Sequence, residues 1–590
     1  MNTLLWILVG ILLYMSAAMA LKSRGLLPDA VKVSGPIVTV HTKRGRAFLD
    51  RLAAPKRLWR AWGNFGVGIA LVLMVGSFLA VLLSGISSFT DPQTAGFVRP
   101  QDALVIPGVN QFLPWAAAVD IVVGLLVGLV VHEGGHGILC RVEDIDIDSM
   151  GIALFAFVPM GAFVQPDEDS QEAADRGGKT RMFAAGVTNN FLVTVISFAL
   201  LFAIVGSLVS VAPGVAVGGT LPGSAAEEAG IERGDVLVGV DGESVDGESS
   251  FSAALSDADR EVTVDRKDGD PVTVRRDLIV TRAVVDGPIA TGTEIRRVNG
   301  EQVFTESAFV AAVDGEETVD LGTENGTVRL PVGTFVSTVP SDGPLGSEGA
   351  PDTPTIVHSV GGEPTPDPEA LSSVLSGTAP GDTVEVVVYH GDESDDPWGG
   401  DRAVYEVTLG EHPSEDYGFL GVGGIQTGTS GIAVDDFGID AYPADRYHAT
   451  LGGSGLGEDP VTTFVSRTFA ALVLPFMSMI DPNAGYNFAG FNGELTNFYS
   501  VSGPLGAGVV FALVNVLFWT GWVNINLGIF NCIPSYPLDG GHILRSSVEA
   551  TLARLPGDGS QVTVSAITGV ISVAMILSLL GMLFAPWLLG

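Results

Sequence analysis

Two histidines and a glutamate stand close together in an otherwise apolar stretch, in the order His132, Glu133, Gly134, Gly135 and His136. On a helix, side chains four residues apart lie on one face, so both imidazoles can bind the same tetrahedral metal ion. Glu133 follows His132 directly and is placed to take a proton from a metal-bound water. The HEGGH motif therefore predicts two ligands of a zinc ion and the general base of a hydrolase.

A third ligand is offered by a second polar interruption of an apolar run, NINLGIFNCIPSYPLDGGH, which extends from Asn524 to His542. A hydrolytic zinc site needs a third protein ligand and keeps its fourth position open for water. Asp539 is the best candidate, because a carboxylate at the edge of a membrane needs a cation or a donor as its partner. A solvated helix cap is the alternative. We expect His542 to lie outside the ligand set, since Asp539 completes it.

The chain has two cysteines, Cys140 and Cys532, which is too few for a disulfide framework. Cys140 follows His136 by one helical turn, where a thiolate would be able to bind metal. A small, buried, apolar side chain is the commoner role of a free cysteine, and we expect that role here.

The motifs belong to a chain that is too apolar for a water-soluble globular protein. Its mean hydropathy is +0.39, and 47% of its 590 residues are hydrophobic while 16% are charged. A spanning helix needs about 20 apolar residues. The sequence predicts a polytopic α-helical membrane protein with about six spans, at 3–21, 65–88, 113–140, 182–212, 508–534 and 563–589.

The loop 22–62 sets the expected orientation of these spans. It carries ten Lys and Arg residues, against only Asp29 and Asp50. Cytoplasmic loops carry such an excess of positive charge, so we expect this loop to be cytoplasmic. Counting spans onward places both motifs near the cytoplasmic side of a multi-pass protein of the cell membrane, and the region between the two membrane blocks on the extracellular side.

Two further apolar segments are too short to span. The segment 464–480 contains Arg467, and a crossing there would separate Asp539 from the face that holds His132. We therefore expect 464–480 to be interfacial or re-entrant. The segment 151–165 predicts a β-hairpin or a re-entrant loop beside the HEGGH helix.

The chain is strongly acidic, with a formal net charge of −37 from 67 acidic and 30 basic residues, of which only six are Lys. Such a composition indicates an extreme halophile, and a haloarchaeal origin. In molar salt the Debye length falls to about 3 Å, so the self-repulsion of the surface becomes tolerable. The same charge disfavours binding of nucleic acid.

A weak repeat marks the acidic middle of the chain, with VDGE at 240–243, VNGE at 298–301 and VGGE at 360–363. Around the first copy, LPGSAAEEAGIERGDVLVGVDGESV (221–245) predicts a loop, a short helix, a strand and a turn. This segment resembles a PDZ domain of the protease-associated type. The second copy lacks the phrase that starts the helix, whereas the third keeps the order of strand, turn, helix and strand. Such modules bind extended peptides or chain ends; spacer domains are the alternative.

The chain accordingly divides into seven predicted parts. They are the first span and basic cytoplasmic loop (1–62), a membrane core with the HEGGH helix and the hairpin (63–212), a PDZ domain (213–285), a degenerate PDZ-like repeat (286–345), a second PDZ-like domain (346–425), a linker with the interfacial segment (426–507), and a membrane core with the second motif (508–590).

The two motifs together resemble the site-2 intramembrane metalloproteases, peptidase family M50. HEGGH lies in one span, and N-x-x-P-x-x-P-L-D-G follows far downstream, from Asn531 to Gly540. AGVTNNFL at 185–192 is similar to the AGPxxNF segment of that family, with Val187 in place of the usual proline. GAFV at 161–164 resembles the family's hairpin, and a PDZ insertion between the motifs is a family arrangement.

The resemblance implies that one Zn²⁺ per chain is bound by His132, His136 and Asp539, with Glu133 as general base and acid. We expect the HEGGH pair to share its depth in the membrane with Asp539, because both motifs fall near cytoplasmic helix ends.

The resemblance also implies that Asn531 and Asn190 support the developing oxyanion or hold the substrate backbone. For Asn531, a cap of the interrupted helix is the alternative. The expected activity is that of an intramembrane zinc endopeptidase, which cleaves transmembrane segments of single-pass membrane proteins in regulated intramembrane proteolysis. A catalytically silent, PDZ-bearing membrane adaptor and a metal transporter are the rival readings.

Overall fold

The structure is a computed structural model. It describes residues 3–589 apart from 26, 29, 35–36, 43–44, 91–106, 108–112, 156–157, 392–396, 413–414, 454–458, 481–484 and 555–560. The chain divides into two compact units. One unit combines Met1–Ser210 with Asp445–Gly590, and we call it the membrane unit; the other is Val211–Ala444, and we call it the insertion.

The first part of the membrane unit combines long apolar helices with short strands. Uninterrupted apolar runs favour helices here, because a spanning backbone must satisfy its own hydrogen bonds. The helices are α1 (Thr3–Ser23), α2 (Arg46–Ala53), α3 (Lys56–Thr90), α4 (Ala118–Val142), α5 (Glu168–Ala173) and α6 (Arg176–Leu208). The strands are β1 (Val31–Ser34), β2 (Ile37–Thr42), β3 (Ile147–Phe155), β4 (Val158–Pro166) and β5 (Val209–Val211).

Strands β1 to β4 form one antiparallel sheet in the order β1-β2-β3-β4. Its second half is the hairpin predicted at 151–165, whose turn residues 156–157 lie outside the described part. Its first half comes from the basic loop 22–62, where no strand was predicted. The two strands do alternate apolar and polar residues, as VKVS and IVTVHT, but they are only 4 and 6 residues long. Their pairing with a distant hairpin is not visible in the sequence. Strand β4 is the last strand of the sheet and packs against α4.

The insertion repeats one arrangement three times: a strand, a two-strand hairpin, a helix and two further strands. The first copy has β6 (Val215–Thr220), α7 (Ala225–Glu228), β7 (Val236–Val240), β8 (Glu243–Ser244), α8 (Glu248–Ser256), β9 (Glu261–Arg266) and β10 (Val272–Arg275). The second has β11 (Ile279–Ala283), β12 (Ile295–Val298), β13 (Glu301–Gln302), α9 (Glu306–Val313), β14 (Thr318–Thr323) and β15 (Gly326–Pro331). The third has β16 (Thr334–Thr338), α10 (Pro344–Ser347), β17 (Thr355–Val360), β18 (Glu363–Pro364), α11 (Pro368–Ser376), β19 (Thr383–His390) and β20 (Asp401–Thr408).

The repeated VxGE motif forms the hairpin turn in each copy. Its two central residues all have positive φ, with 50° and 84° at Asp241-Gly242, 51° and 84° at Asn299-Gly300, and 61° and 85° at Gly361-Gly362. Tight hairpin turns require this conformation, and Asn, Asp and Gly adopt it most readily. Residues 284–294 are all described and none is helical, which agrees with the missing helix-start phrase of the second copy.

After the third copy, the chain returns through the other two in reverse order. Its strands are β21 (Gly410–Glu411), β22 (Gly418–Phe419), β23 (Gly423–Ile425), β24 (Ile432–Asp435) and β25 (Ile439–Ala441). β23 pairs with β16, β24 with β11, and β25 with β6. The three copies are thus nested. The segment 426–507, which was predicted to be a linker, contains β24 and β25, and these strands complete the second and the first copy. The first and last strands of the insertion lie side by side.

The second part of the membrane unit is again helical. It contains α12 (Ala444–Gly452), α13 (Pro460–Val473), α14 (Met477–Ile480), β26 (Tyr499–Val501), α15 (Ala507–Asn531), α16 (Asp539–Leu552) and α17 (Gln561–Leu589). The apolar helix at 460–476 is shorter than the helices that are long enough to span a membrane. Its interfacial or re-entrant placement stays a prediction.

Among the described residues, five helices are long and apolar enough to cross a membrane: α3, α4, α6, α15 and α17. They coincide with five of the six predicted spans, so the chain is a multi-pass membrane protein. Helix α1 coincides with the sixth predicted span but is not among the five, and its crossing stays a prediction.

Ion pairs place the ends of three spanning helices at one level. Glu143, at the end of α4, accepts hydrogen bonds from Arg60 of α3 (3.3 Å) and Arg181 of α6 (2.9 Å). Lys56, the first residue of α3, pairs with Asp144 at 2.6 Å. Helices α3 and α6 therefore begin where α4 ends, and Lys56 and Arg60 of the basic loop lie at the same level.

One buried ion pair joins two copies of the insertion to the returning chain. Arg276, which is 2% exposed, donates to both carboxylate oxygens of Asp436, at 3.0 and 2.6 Å. The second of these oxygens also accepts from the backbone N–H of Glu306, the first residue of α9 (2.6 Å). The pair therefore connects the first copy, the second copy and the segment between β24 and β25.

Replacing Asp436 by Ala leaves the guanidinium of Arg276 buried without a counter-charge. Such a loss costs about 3–5 kcal/mol, and it should lower the unfolding midpoint of the insertion by roughly 6–20 °C. Thermal unfolding of the full chain, followed by the circular dichroism of its strands, measures this change. The double variant R276M/D436L removes both charges and should lose less stability than D436A. A D436A variant as stable as the parent contradicts the account.

Candidate metal centre

The HEGGH motif lies in the second half of α4, with His132 and His136 on the face that packs against α6 and α15. Close approach of the helices depends on glycine. A Cβ at Gly135 would lie 2.8 Å from the carbonyl oxygen of Ala185 in α6, whereas a Cβ at Gly134 would meet nothing within 4 Å. One side of the motif is therefore closed by α6, and the other side is open.

Asp539 reaches the same place from the second membrane block. Helix α15 ends at Asn531, the prolines of the motif occupy the loop that follows, and α16 begins at Asp539. A Cβ at Gly540 would run into the carbonyl oxygens of Cys532 and Ile533, so only glycine allows the chain to turn this tightly. The LDG phrase thus holds the carboxylate at the start of a helix, facing α4.

The three candidate ligand atoms form a nearly regular triangle. Nε2 of His132 lies 3.2 Å from Nε2 of His136, and Oδ2 of Asp539 lies 3.1 and 3.3 Å from these two nitrogens. Zinc bonds of about 2.0–2.2 Å in a tetrahedral site place ligand atoms roughly 3.3–3.6 Å apart. The triangle is close to that size, with a fourth position left for water.

The surroundings of the triangle suit a metal ion. His132, His136 and Asp539 are only 6%, 9% and 9% exposed. Oδ2 of Asp539 accepts no hydrogen bond from the described residues, although two imidazole nitrogens lie close to it. A buried carboxylate needs a partner, and a cation between the three atoms supplies one. The structure brings together the side chains of the two motifs, and their shared depth in a membrane stays a prediction.

A backbone carbonyl fixes one imidazole. Nδ1 of His136 lies 2.8 Å from the carbonyl oxygen of Met182 and donates to it, which leaves the lone pair of Nε2 directed towards Asp539. Such an outer contact sets the tautomer and the ring orientation of a ligating histidine.

Gly186 is a site residue that the sequence analysis did not single out. A Cβ at this position would lie 2.7 Å from Cε1 of His132 and 2.7 Å from Nε2 of His136. Any larger residue would enter the ligand triangle. Its signal in the sequence is its place in the segment AGVTNNFL, four residues before Asn190.

Glu133 is half-buried and faces the hairpin. Its Oε2 accepts a hydrogen bond from the backbone N–H of Val164 in β4, at 2.8 Å. A cavity of about 350 Å³ adjoins it, lined by Gly134, by Ala162 of the hairpin and by apolar residues of α2 such as Leu49. The carboxylate of Glu133, which follows His132 directly, therefore borders this cavity.

The other four candidate residues lie in different environments. Asn190 in α6 is fully buried, and neither atom of its side-chain amide has a hydrogen-bond partner within the described part of the chain. Asn531 instead donates to the carbonyl oxygen of Leu527 in its own helix, at 3.0 Å. Cys140 lies in an apolar cluster with its Sγ 3.3 Å from Sδ of Met182, and the group of possible metal ligands does not include it. His542 stacks on Phe183 with the ring centres 4.2 Å apart.

Five spanning helices and a buried His–His–Asp triangle with an adjacent glutamate define a membrane protein of the metallohydrolase class. The chain belongs to peptidase family M50, since residues 120–577 match the model of that family. The family consists of membrane metalloproteases, and its members are zinc enzymes.

One curated relative is an uncharacterized protein of Methanocaldococcus jannaschii. It is 26% identical over 162 residues, which is 28% of this chain and 42% of the relative. The chain thus matches less than half the length of that relative, and the similarity carries no information about substrates.

Replacing Gly186 by Ala should remove the metal. The added methyl group would lie against both imidazoles, so zinc should fall from about one ion per chain to a small fraction of that. Metal analysis of the purified protein measures it. Gly68→Ala is the matched control, because a Cβ at this helical glycine of α3 meets nothing within 4 Å. Full zinc content in G186A would place the metal elsewhere.

Proposed function

We propose that the chain is a zinc-dependent intramembrane endopeptidase that cleaves transmembrane segments of single-pass membrane proteins, in regulated intramembrane proteolysis. The observation that carries the proposal is the His132–His136–Asp539 triangle, which has the dimensions of a tetrahedral zinc site. Membership of family M50 supports the same activity.

The chemistry follows from the roles of the residues around the triangle. Zinc held by the three ligands supplies Lewis acidity, which lowers the pKa of a water molecule towards about 7. Glu133 takes the proton of the attacking water at its carboxylate and later returns it to the leaving nitrogen. Throughout, the N–H of Val164 holds that carboxylate in place. The contact between His136 and Met182 keeps the imidazole aligned.

The hairpin offers a binding mode for the substrate. A transmembrane helix hides its peptide carbonyls in hydrogen bonds, so cleavage requires local unwinding. Strand β4 is the last strand of its sheet and borders the cavity beside Glu133. We propose that the unwound segment lies along β4 as an added strand, within reach of the carboxylate.

Asn190 is proposed to donate to the substrate backbone or to the developing oxyanion. Its two unpartnered amide atoms support this role, because a buried amide otherwise finds a partner. Asn531 is proposed to assist, but its donor is already bound to Leu527 and would have to leave that contact.

The three nested copies of the insertion are proposed to be PDZ-like modules on the extracellular side of the cell membrane. The order of hairpin, helix and strand in every copy supports the first part of this proposal. The basic residues of the loop 22–62 support the orientation, because they belong on the cytoplasmic side.

Replacing Glu133 by Gln should abolish proteolysis but keep the metal. Removal of a general base lowers the rate by about 10²–10⁴-fold, while the three ligands are unchanged. Cleavage of a single-pass substrate in proteoliposomes, measured together with zinc content, separates the two effects.

Asn190→Ala should lower kcat in the same assay.

Glu168→Gln is the control for this assay, because it removes an exposed carboxylate from the nearby helix α5. An E133Q variant as active as the parent contradicts the proposal. A parent chain that binds zinc but cleaves no substrate would favour the silent adaptor.

We also propose that the acid excess is an adaptation to high salt. Raising KCl from about 0.2 to 3 M shortens the Debye length and should raise the unfolding midpoint of the parent chain. A midpoint that stays constant or falls would show that the charge serves another purpose.

A further inference from the structure

A groove in the insertion lies between the helices α8 and α9 on one side and strand β25 on the other. Its volume is about 600 Å³, within the range of about 300–1,000 Å³ that is typical of ligand sites. Phe251 and Leu255 of α8 and Phe437 before β25 give it an apolar floor, to which Val310 of α9 adds an exposed apolar side chain. We call it the α8–β25 groove.

Strand β25 makes the groove suitable for an extended chain. Among the described strands it is the outermost of its sheet, which has the order β10-β9-β7-β6-β25. The outer edge of a sheet is where a further strand can add, with alternate side chains entering the neighbouring pocket. Helix α8 forms the opposite wall of that pocket.

Two backbone donors of the loop that leads into β25 are already used. Capture of a C-terminal carboxylate uses successive backbone N–H groups that converge on one point. Here the N–H groups of Phe437 and Gly438 both donate to Oδ1 of Asp435, each at 2.6 Å. The side chain of Asp435 therefore takes the place that a terminal carboxylate would need.

The charge of the groove also opposes an anionic ligand. Its single guanidinium, that of Arg276, is neutralised by Asp436, and its Nη1 donates to the carbonyl oxygens of Leu255 (2.7 Å) and Ala258 (3.1 Å). The lining includes five carboxylates, which belong to Glu248, Glu306, Asp314, Asp435 and Asp436.

Burial and neighbouring charges raise the pKa of two of these carboxyl groups. Burial raises the pKa of Asp435 above its usual value, and the charge of Asp436 raises it further, against the effect of the two backbone hydrogen bonds. Burial also raises the pKa of Glu306, as do the charges of Asp435 and Asp436. A cation placed in the groove would be stabilised by these carboxylates, apart from that of Asp436, whose charge Arg276 already neutralises.

We propose that the α8–β25 groove binds an internal, extended segment of another polypeptide that carries a Lys or Arg side chain, and that it does not capture a free chain end. The apolar floor receives the segment, the edge of β25 aligns it, and the carboxylates of the rim bind its cation. Of the two ligands expected for the insertion, the contacts thus favour the extended peptide. The inference concerns the insertion alone and does not depend on the proteolytic activity.

Three short fluorescent peptides test the proposal on the full chain in detergent. The first is apolar with one Arg and an amidated C-terminus, the second is identical with a free carboxylate, and the third is amidated with Glu in place of Arg. Fluorescence anisotropy should show the Arg amide binding about tenfold more tightly than the Glu amide. The free carboxylate should bring no gain. Tighter binding of the free carboxylate, or equal binding of the Arg and Glu peptides, overturns the proposal.

Variants assign the binding to the groove. Glu306→Gln should weaken the Arg peptide several-fold, because it removes a carboxylate of the rim. Glu301→Gln is the matched control, since it removes an exposed carboxylate of β13, outside the groove. Equal weakening in both variants, or none in E306Q, would contradict the assignment.

A third substitution tests the loop. Asp435→Ala releases the N–H groups of Phe437 and Gly438 and should create affinity for the free-carboxylate peptide that the parent lacks. Asp435→Asn keeps an acceptor at the same place and should not create it. A parent chain that already prefers the free carboxylate, or a D435A variant that gains nothing for it, would refute the role assigned to Asp435.

Discussion

The structure of the membrane unit depends on the burial of one carboxylate and two imidazoles among apolar helices. His132, His136 and Asp539 are almost inaccessible to solvent, and a buried carboxylate without a partner is strongly unfavourable. A metal ion between them would resolve this, and the spacing of their atoms leaves room for one. Much of the surrounding structure serves that arrangement: Gly186 leaves the space open, Met182 orients an imidazole, and the turn at Gly540 delivers the carboxylate.

The nested insertion explains how two distant motifs can belong to one site. Its first and last strands, β6 and β25, pair with each other, so the chain leaves the insertion beside the point where it began. More than two hundred residues therefore separate the membrane blocks in sequence without holding them apart in space. The ion pair between Arg276 and Asp436 secures the returning segment next to the first two copies. The same returning segment forms one wall of the α8–β25 groove, so the closure of the insertion also shapes its binding site.

The sequence predicted the parts of the site that depend on fixed spacing. The four-residue interval in HEGGH placed both histidines on one face of α4, and the need for a third ligand singled out Asp539. Long apolar runs predicted five helices that the structure contains. Pairing between distant segments left no such signal. The sheet between the loop 22–62 and the hairpin depends on tertiary contacts alone. The same is true of the strands β23, β24 and β25, which pair with the three copies in reverse order. Gly186 was missed for a similar reason, because its importance lies in the volume that it leaves empty.

The central claim is that one zinc ion is bound by two imidazoles and a carboxylate contributed by both membrane blocks. X-ray absorption at the zinc edge, recorded on the purified parent chain and on Asp539→Ala, tests it most directly. The account predicts a first shell of nitrogen and oxygen atoms at about 2.0–2.2 Å in the parent, which is lost in the variant. A sulfur atom at about 2.3 Å, as Cys140 would supply, or an unchanged shell in D539A, would contradict it.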